Sequence, residues 1–174
     1  MSEGYNPRPR ISFPVPLGVG IEGVDEVMEF DLDRWVFPAE IEQRIREELP
    51  TGLCVISVEP SNPHAAAQGE ELSYRITPAD RVRKDVRLTA DRLKEFAARE
   101  EIPVPRIRKG KRKVVDVRPF LRVLERDGDA VVLRVAAGPK GSARPEEFLG
   151  AMGFDEIARR RDFRIVRTDV QLAD

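Results

Sequence analysis

The sequence predicts an α+β fold of two ferredoxin-like lobes in tandem, the first lacking its opening strand and helix. Three observations predict it. Apolar residues alternate over short β-branched runs, the period of a half-buried strand. Elsewhere they recur at helical spacing behind prolines. The two halves also repeat one pattern: a strand pair, a proline-opened helix with early acids, then a final strand. Phe37-Pro38-Ala39-Glu40 in the first half matches Arg144-Pro145-Glu146-Glu147 in the second. The lobes are expected at residues 1–60 and 71–174, with a linker over 61–70.

The segment from Arg10 to Leu17 is apolar but carries Pro14 and Pro16. Proline lacks the ladder donor, so an edge strand or an irregular one is expected. Val24 to Leu32 places Met28, Phe30 and Leu32 on one face, the pattern of a strand pairing with the first. Pro38 opens a helix where its missing N–H costs nothing. Ile41, Ile45 and Leu49 form its apolar stripe, and Pro50 stops it. Leu53 to Glu59 is a β-branched run and reads as a strand, giving β-β-α-β.

Glu71 to Thr77 restarts the alternation through Leu72, Tyr74 and Ile76. Thr89 caps a helix carrying Leu93, Phe96 and Ala97. Val104 to Ile107 and Lys113 to Val117 flank Lys109-Gly110, the mark of a hairpin with a glycine turn. Pro119 to Leu124 reads as a short helical piece and Ala130 to Ala136 as a strand. Pro145 opens another helix with Phe148, Leu149 and Met152 inward, and Phe163 to Leu172 closes the chain as a strand. This half is read as the β-α-β-β-α-β order of ferredoxin-like folds with the short helical piece inserted, although the elements named number one strand more.

Composition narrows the functional classes. Of the 174 residues, 41% are hydrophobic and 35% charged, which excludes an intrinsically disordered chain. No apolar run approaches the roughly 20 residues of a membrane helix. Met1-Ser2-Glu3-Gly4 begins no secretory signal. The single cysteine, Cys54, suits a reducing compartment, and the cytoplasm is expected.

Charge is segregated along the chain. Gly20 to Pro60 holds eleven acids against three bases, and Arg81 to Arg126 holds sixteen bases against seven acids. Two readings stand. Each stretch forms one surface, the basic one drawing a polyanion, or both are solvated faces that neutralise each other where the lobes meet.

The basic stretch peaks at Arg106, Arg108, Lys109, Lys111, Arg112 and Lys113, six cations in eight positions around the hairpin turn. A protruding ribbon of this kind can track a phosphate backbone. The same lysines would also keep a sheet edge from pairing with a neighbour. Asn6, Arg8 and Arg10 form a second polar patch. Of the polar-edged aromatics Tyr5, Tyr74 and Trp35, none lies in the basic segment, so a base-stacking platform is not visible there.

Catalytic and metal chemistry finds little support. Asp116 and Arg118, two residues apart on a strand, are expected to form an ion pair. His64 is the one histidine and falls in the linker. With one His and one Cys, neither a Cys/His metal site nor a Cys–His nucleophile pair is expected, and without a Cys-x₃-Cys-x₂-Cys motif this chain alone cannot hold an iron–sulfur cluster. Gly18-Val-Gly-Ile-Glu-Gly23 matches a phosphate-binding glycine pattern by letter, but it joins two strands rather than a strand and a helix. No cofactor is expected.

The opening Ser2-Glu-Gly-Tyr-Asn-Pro-Arg-Pro-Arg-Ile-Ser-Phe13, followed by Pro16-Leu-Gly-Val19, resembles the first motif of the radical-SAM-linked family. That family is a bacterial domain of unknown function, found alone or fused to the C-terminus of radical SAM proteins. Leu49-Pro-Thr-Gly-Leu53, Asp116-Val-Arg-Pro119 and Arg144-Pro-Glu-Glu147 extend the likeness over nearly the whole chain. Family members carry a strand and a helix before the first motif, and here Met1 falls at its edge. This agrees with a first lobe that lacks its opening β-α, which would leave apolar surface uncovered. The resemblance implies a link with radical SAM and RNA-processing contexts and supplies no reaction.

The expected function is therefore a non-catalytic accessory module that binds RNA for a radical SAM partner. Phosphate contact is expected from Arg106, Arg108, Lys109, Lys111, Arg112 and Lys113, with Asn6, Arg8 and Arg10 assisting. The alternatives are a scaffold that docks on the enzyme through its first lobe, and an RNA-modifying enzyme using Asp116 or Asp31.

Overall fold

The computed structural model describes residues 10–61, 67–108, 110–139, 141–154 and 162–173, with the backbone alone at position 108. The chain forms two compact units, one from Met1–Pro14 and Val27–Ala67, the other from Val15–Glu26 and Gln68–Asp174. The division does not fall at a single linker. Residues 15–26, expected in the first lobe, belong to the second unit, as do 68–70 of the expected linker.

In the first unit, β1 (Ile11–Ser12) pairs antiparallel with β3 (Glu29–Phe30), Ile11 opposite Phe30. Helix α1 (Pro38–Glu48) starts at its proline and ends as Leu49 N–H reaches the Ile45 carbonyl. Its outer surface is laced by Glu40–Arg44 at 2.6 Å and Glu42–Arg46 at 2.5 Å, the favourable i,i+4 orientation. No described residue of this unit is buried. Ile11, Phe13, Met28, Leu32, Trp35, Phe37, Leu53 and Ile56 are all exposed. The expected strand at Leu53 to Glu59 does not form, and the two before it shrink to two residues each. A strand is stabilised by burying alternate side chains against another layer, and these have none.

The second unit is built on a five-stranded sheet in the order β2-β9-β4-β8-β7. The short β2 (Glu22–Gly23) lies parallel to β9 (Phe163–Leu172). The long β4 (Gly69–Pro78) runs antiparallel to β9 and to β8 (Ala130–Ala136), and β8 pairs antiparallel with β7 (Leu121–Asp127). Between β4 and β7 come the single turn α2 (Asp80–Arg83), helix α3 (Ala90–Ala97), and a separate ribbon of β5 (Pro103–Arg108) and β6 (Lys111–Asp116). Helix α4 (Pro145–Ala151) connects β8 to β9.

Alternation decides which side of the sheet is covered. Leu72, Tyr74 and Ile76 of β4, Val131, Leu133 and Val135 of β8, and Ile165 of β9 point into one core. Leu93 and Phe96 from α3, with Phe148 and Leu149 from α4, complete it. The alternate side chains Arg75, Arg134 and Arg164 stay exposed.

Two expectations are corrected here. The hairpin strands stand apart from the main sheet, and the piece from Pro119 to Leu124 is a 3-10 turn (Arg118–Phe120) leading into β7. Leu121 and Leu124 are three residues apart, a helical spacing by letter. A register irregularity between Leu121 and Val123 lets both face inward from a strand. Among the described residues no helix is long and apolar enough to cross a membrane.

Candidate nucleic-acid interface

At the end of the hairpin Arg108 lies opposite Lys111, and Gly110 has φ 75°, a backbone state that glycine adopts without strain. Its base is fixed by three features. Val104 and Val117 are buried, and Val117 N–H binds the Ile102 carbonyl at 3.0 Å. Asp116 accepts the Ile102 N–H at 2.7 Å and the Arg118 N–H at 3.0 Å. Further out, Arg106 donates through Nε and Nη2 to both Glu147 carboxylate oxygens, at 2.7 and 2.9 Å, and to the Ser142 carbonyl at 2.8 Å.

The expected Asp116–Arg118 ion pair is thus replaced. Asp116 ends β6 and Arg118 begins the 3-10 turn, so the two no longer share a strand face. The Arg118 guanidinium instead donates to the carbonyls of Arg99 at 2.9 Å and Leu121 at 3.3 Å.

Register assigns the ribbon's faces. Arg106 lies opposite Lys113, and position 108 opposite Lys111, so these share one face. Pro105 opposite Val114 and Ile107 opposite Arg112 make the other. Lys111, Arg112 and Lys113 are exposed, and among the described residues none has an acidic partner. Ile107 is 78% and Val114 63% exposed, so the second face is solvated although partly apolar. Arg106 is different. The Glu147 hydrogen bond holds its guanidinium above its ordinary pKa against partial burial, so it secures the ribbon and is withdrawn from offering its charge.

Four of the ten bases that flank the ribbon between Arg81 and Arg126 are neutralised locally. Arg81 pairs with Asp162, Arg83 with Asp80 and Asp129, Arg87 with Asp85, and Arg92 with Glu95. Arg87 also stacks over Phe154 at 3.9 Å, and Arg99 over Phe96 at 4.7 Å. The ribbon keeps the densest run of exposed cations without acidic partners, Lys111 to Lys113.

Of the nine predicted contact residues, the structure brings Arg106, Lys111, Arg112 and Lys113 together on this ribbon, with the Arg108 backbone. Arg10 lies in the first unit, 3.8 Å from Asp31. Asn6, Arg8 and Lys109 lie outside the described residues, as does His64. Among the described residues no group of His, Cys, Asp and Glu is arranged to hold a metal ion.

One cluster escaped the sequence reading. Arg167 of β9 is 1% exposed, donates to both carboxylate oxygens of Glu26, and reaches the Val15 carbonyl at 2.8 Å. It sits opposite Tyr74 in the register. Burial pushes the Tyr74 phenol up, with Arg167 opposing. Burial also works against the Arg167 charge, but Glu26 and Tyr74 outweigh it and keep the guanidinium protonated. The signal was present: Phe163, Ile165 and Arg167 have one parity, so a charge was due to point into the core. Three residues earlier on the same strand, exposed Arg164 grips Glu22 at 2.7 and 2.9 Å. Together these arginines tie Val15, Glu22 and Glu26 to β9 within the second unit.

The family model that matches residues 1–145 describes an uncharacterized protein conserved in bacteria (DUF2344). No curated protein and no solved structure matches the chain.

Proposed function

We infer the function from one premise: the chain belongs to this family of proteins conserved in bacteria, which is often linked to radical SAM proteins. On that premise it is a non-catalytic accessory module that holds RNA for a radical SAM enzyme. The carrying observation is the contrast between Lys111, Arg112 and Lys113, exposed on an anchored ribbon without acidic partners, and the paired arginines at 81, 83, 87, 92 and 106. Unneutralised cations attract a polyanion, whereas paired ones add little field.

The strand order supports reading the second unit as a ferredoxin-like lobe. Its four long strands lie with the last beside the first, then the third, then the second. The first unit reads as a partial companion lobe.

Alanine at Lys111, Arg112 and Lys113 should weaken RNA retention at low salt at least as much as any other triple replacement on the surface. Arg75→Ala, which removes a cation already held by Asp127 at 2.6 Å, is the control and should leave retention unchanged. Failure of the wild-type protein to retain any RNA at low salt would reject the reading.

A second reading is favoured by the eight large apolar side chains exposed on the first unit. Such a surface fits a docking scaffold for the radical SAM protein. Trp35→Glu and Phe37→Glu should then lower co-purification with that protein, and unchanged recovery would count against docking through this unit.

A further inference from the structure

We propose that the ribbon binds double-helical RNA along its backbone rather than single-stranded RNA through its bases; this rests on the RNA-binding reading above. Single strands are held largely by stacking unpaired bases on aromatic rings or on guanidinium planes. Among its described residues the second unit exposes no aromatic ring for a base to stack on. Tyr74, Phe96, Phe148, Phe154 and Phe163 are each at most 6% exposed, and Phe120 packs against the core. On the exposed sheet side Arg75, Arg134 and Arg164 are held by Asp127, Glu71 and Glu22. The exposed rings Phe13, Trp35 and Phe37 lie in the first unit, whose described residues carry eight acids against four bases, a sign that repels phosphate.

The ribbon itself carries what a duplex backbone takes. Lys111 and Lys113 are two strand residues apart, which spaces them by about 7 Å along one face. Arg112 projects from the opposite face, so the ribbon presents positive charge on both sides. A-form helices are recognised mainly by shape and by contacts to phosphates and 2′-hydroxyls across a wide, shallow minor groove. Ile107 and Val114 are aliphatic and exposed beside Arg112. They offer no aromatic face to a base, but they can lie against sugars. The Arg106–Glu147 anchor holds the ribbon in place, which lowers the ordering cost of binding.

The test is a fluorescence-polarisation titration of the intact chain at low salt. One probe is a fully paired RNA duplex, the other an unstructured RNA strand of equal total charge. Duplex affinity about tenfold higher is expected, a difference of about 1.4 kcal/mol. Lys111→Ala with Lys113→Ala should reduce that preference. Equal or tighter binding of the single strand overturns the duplex assignment while leaving the RNA reading intact. Binding to neither probe overturns both.

Discussion

Arg106 of the hairpin and Glu147 of helix α4 are joined by two hydrogen bonds, 2.7 Å from Nε and 2.9 Å from Nη2, each to its own carboxylate oxygen. Glu147 also accepts the Arg144 N–H at 2.8 Å, so one carboxylate both caps the helix and holds the ribbon. Glu147→Ala should therefore destabilise the protein more than a surface pair would, by about 1–2 kcal/mol. Chemical denaturation checks this. Arg106→Lys, which keeps the charge but loses the fork, should not restore full stability.

Arg167 predicts a comparable or larger effect. Replacing it by Met strands the Glu26 carboxylate and the Tyr74 phenol beside an apolar group. The expected loss is about 1–3 kcal/mol, the range for unmaking hydrogen bonds to a charged group, since Glu26 is itself partly solvated. Adding Glu26→Met should recover part of that loss in the same unfolding assay. A double variant no more stable than Arg167→Met would show that the pair is not the source.

The two units should respond differently to truncated side chains. Leu133 is fully buried, and Leu133→Ala should cost about 2–5 kcal/mol. Trp35 is 70% exposed, and Trp35→Ala should stay within about 0.5 kcal/mol. In hydrogen exchange on the isolated chain, amides of β4 and β8 should be protected far longer than those of α1, where no residue is buried.

The pH dependence follows from three groups. The Arg164 hydrogen bond holds Glu22 below its ordinary value, and the Arg87 hydrogen bond does the same for Asp85. Each favours the folded state above the ordinary carboxylate range, and the contribution is lost as pH falls through the folded value. Tyr74 runs the other way. Its folded pKa is raised by burial, so its contribution is complete below the ordinary value of 10.0 and disappears as pH rises through the folded value. Midpoints measured against pH should fall at both ends, and Tyr74→Phe should remove a late-titrating phenolate from the absorbance titration.

Much of the second unit was legible because its signals are local. Leu72, Tyr74 and Ile76 alternate, Pro145 opens α4, and Gly110 marks the turn. β7 was missed because its bulge restores, in a strand, the three-residue spacing of a helix. The pairing of β2 with β9 joins positions over 140 residues apart, and no local pattern encodes such a partner. In the first unit the β-branched run Leu53 to Glu59 reads as a strand and forms none, because a strand needs a layer to cover it. At the ribbon the cations were visible as a run. Which of them remain unpaired was not, since Glu147 is 41 residues from Arg106.

The central claim is tested most directly by the salt dependence of RNA binding. If Lys111, Arg112 and Lys113 each neutralise a phosphate, replacing all three by alanine should reduce the slope of log affinity against log salt by about 2–3 relative to wild type. A triple variant with the wild-type slope and affinity would contradict the assignment of this ribbon to RNA.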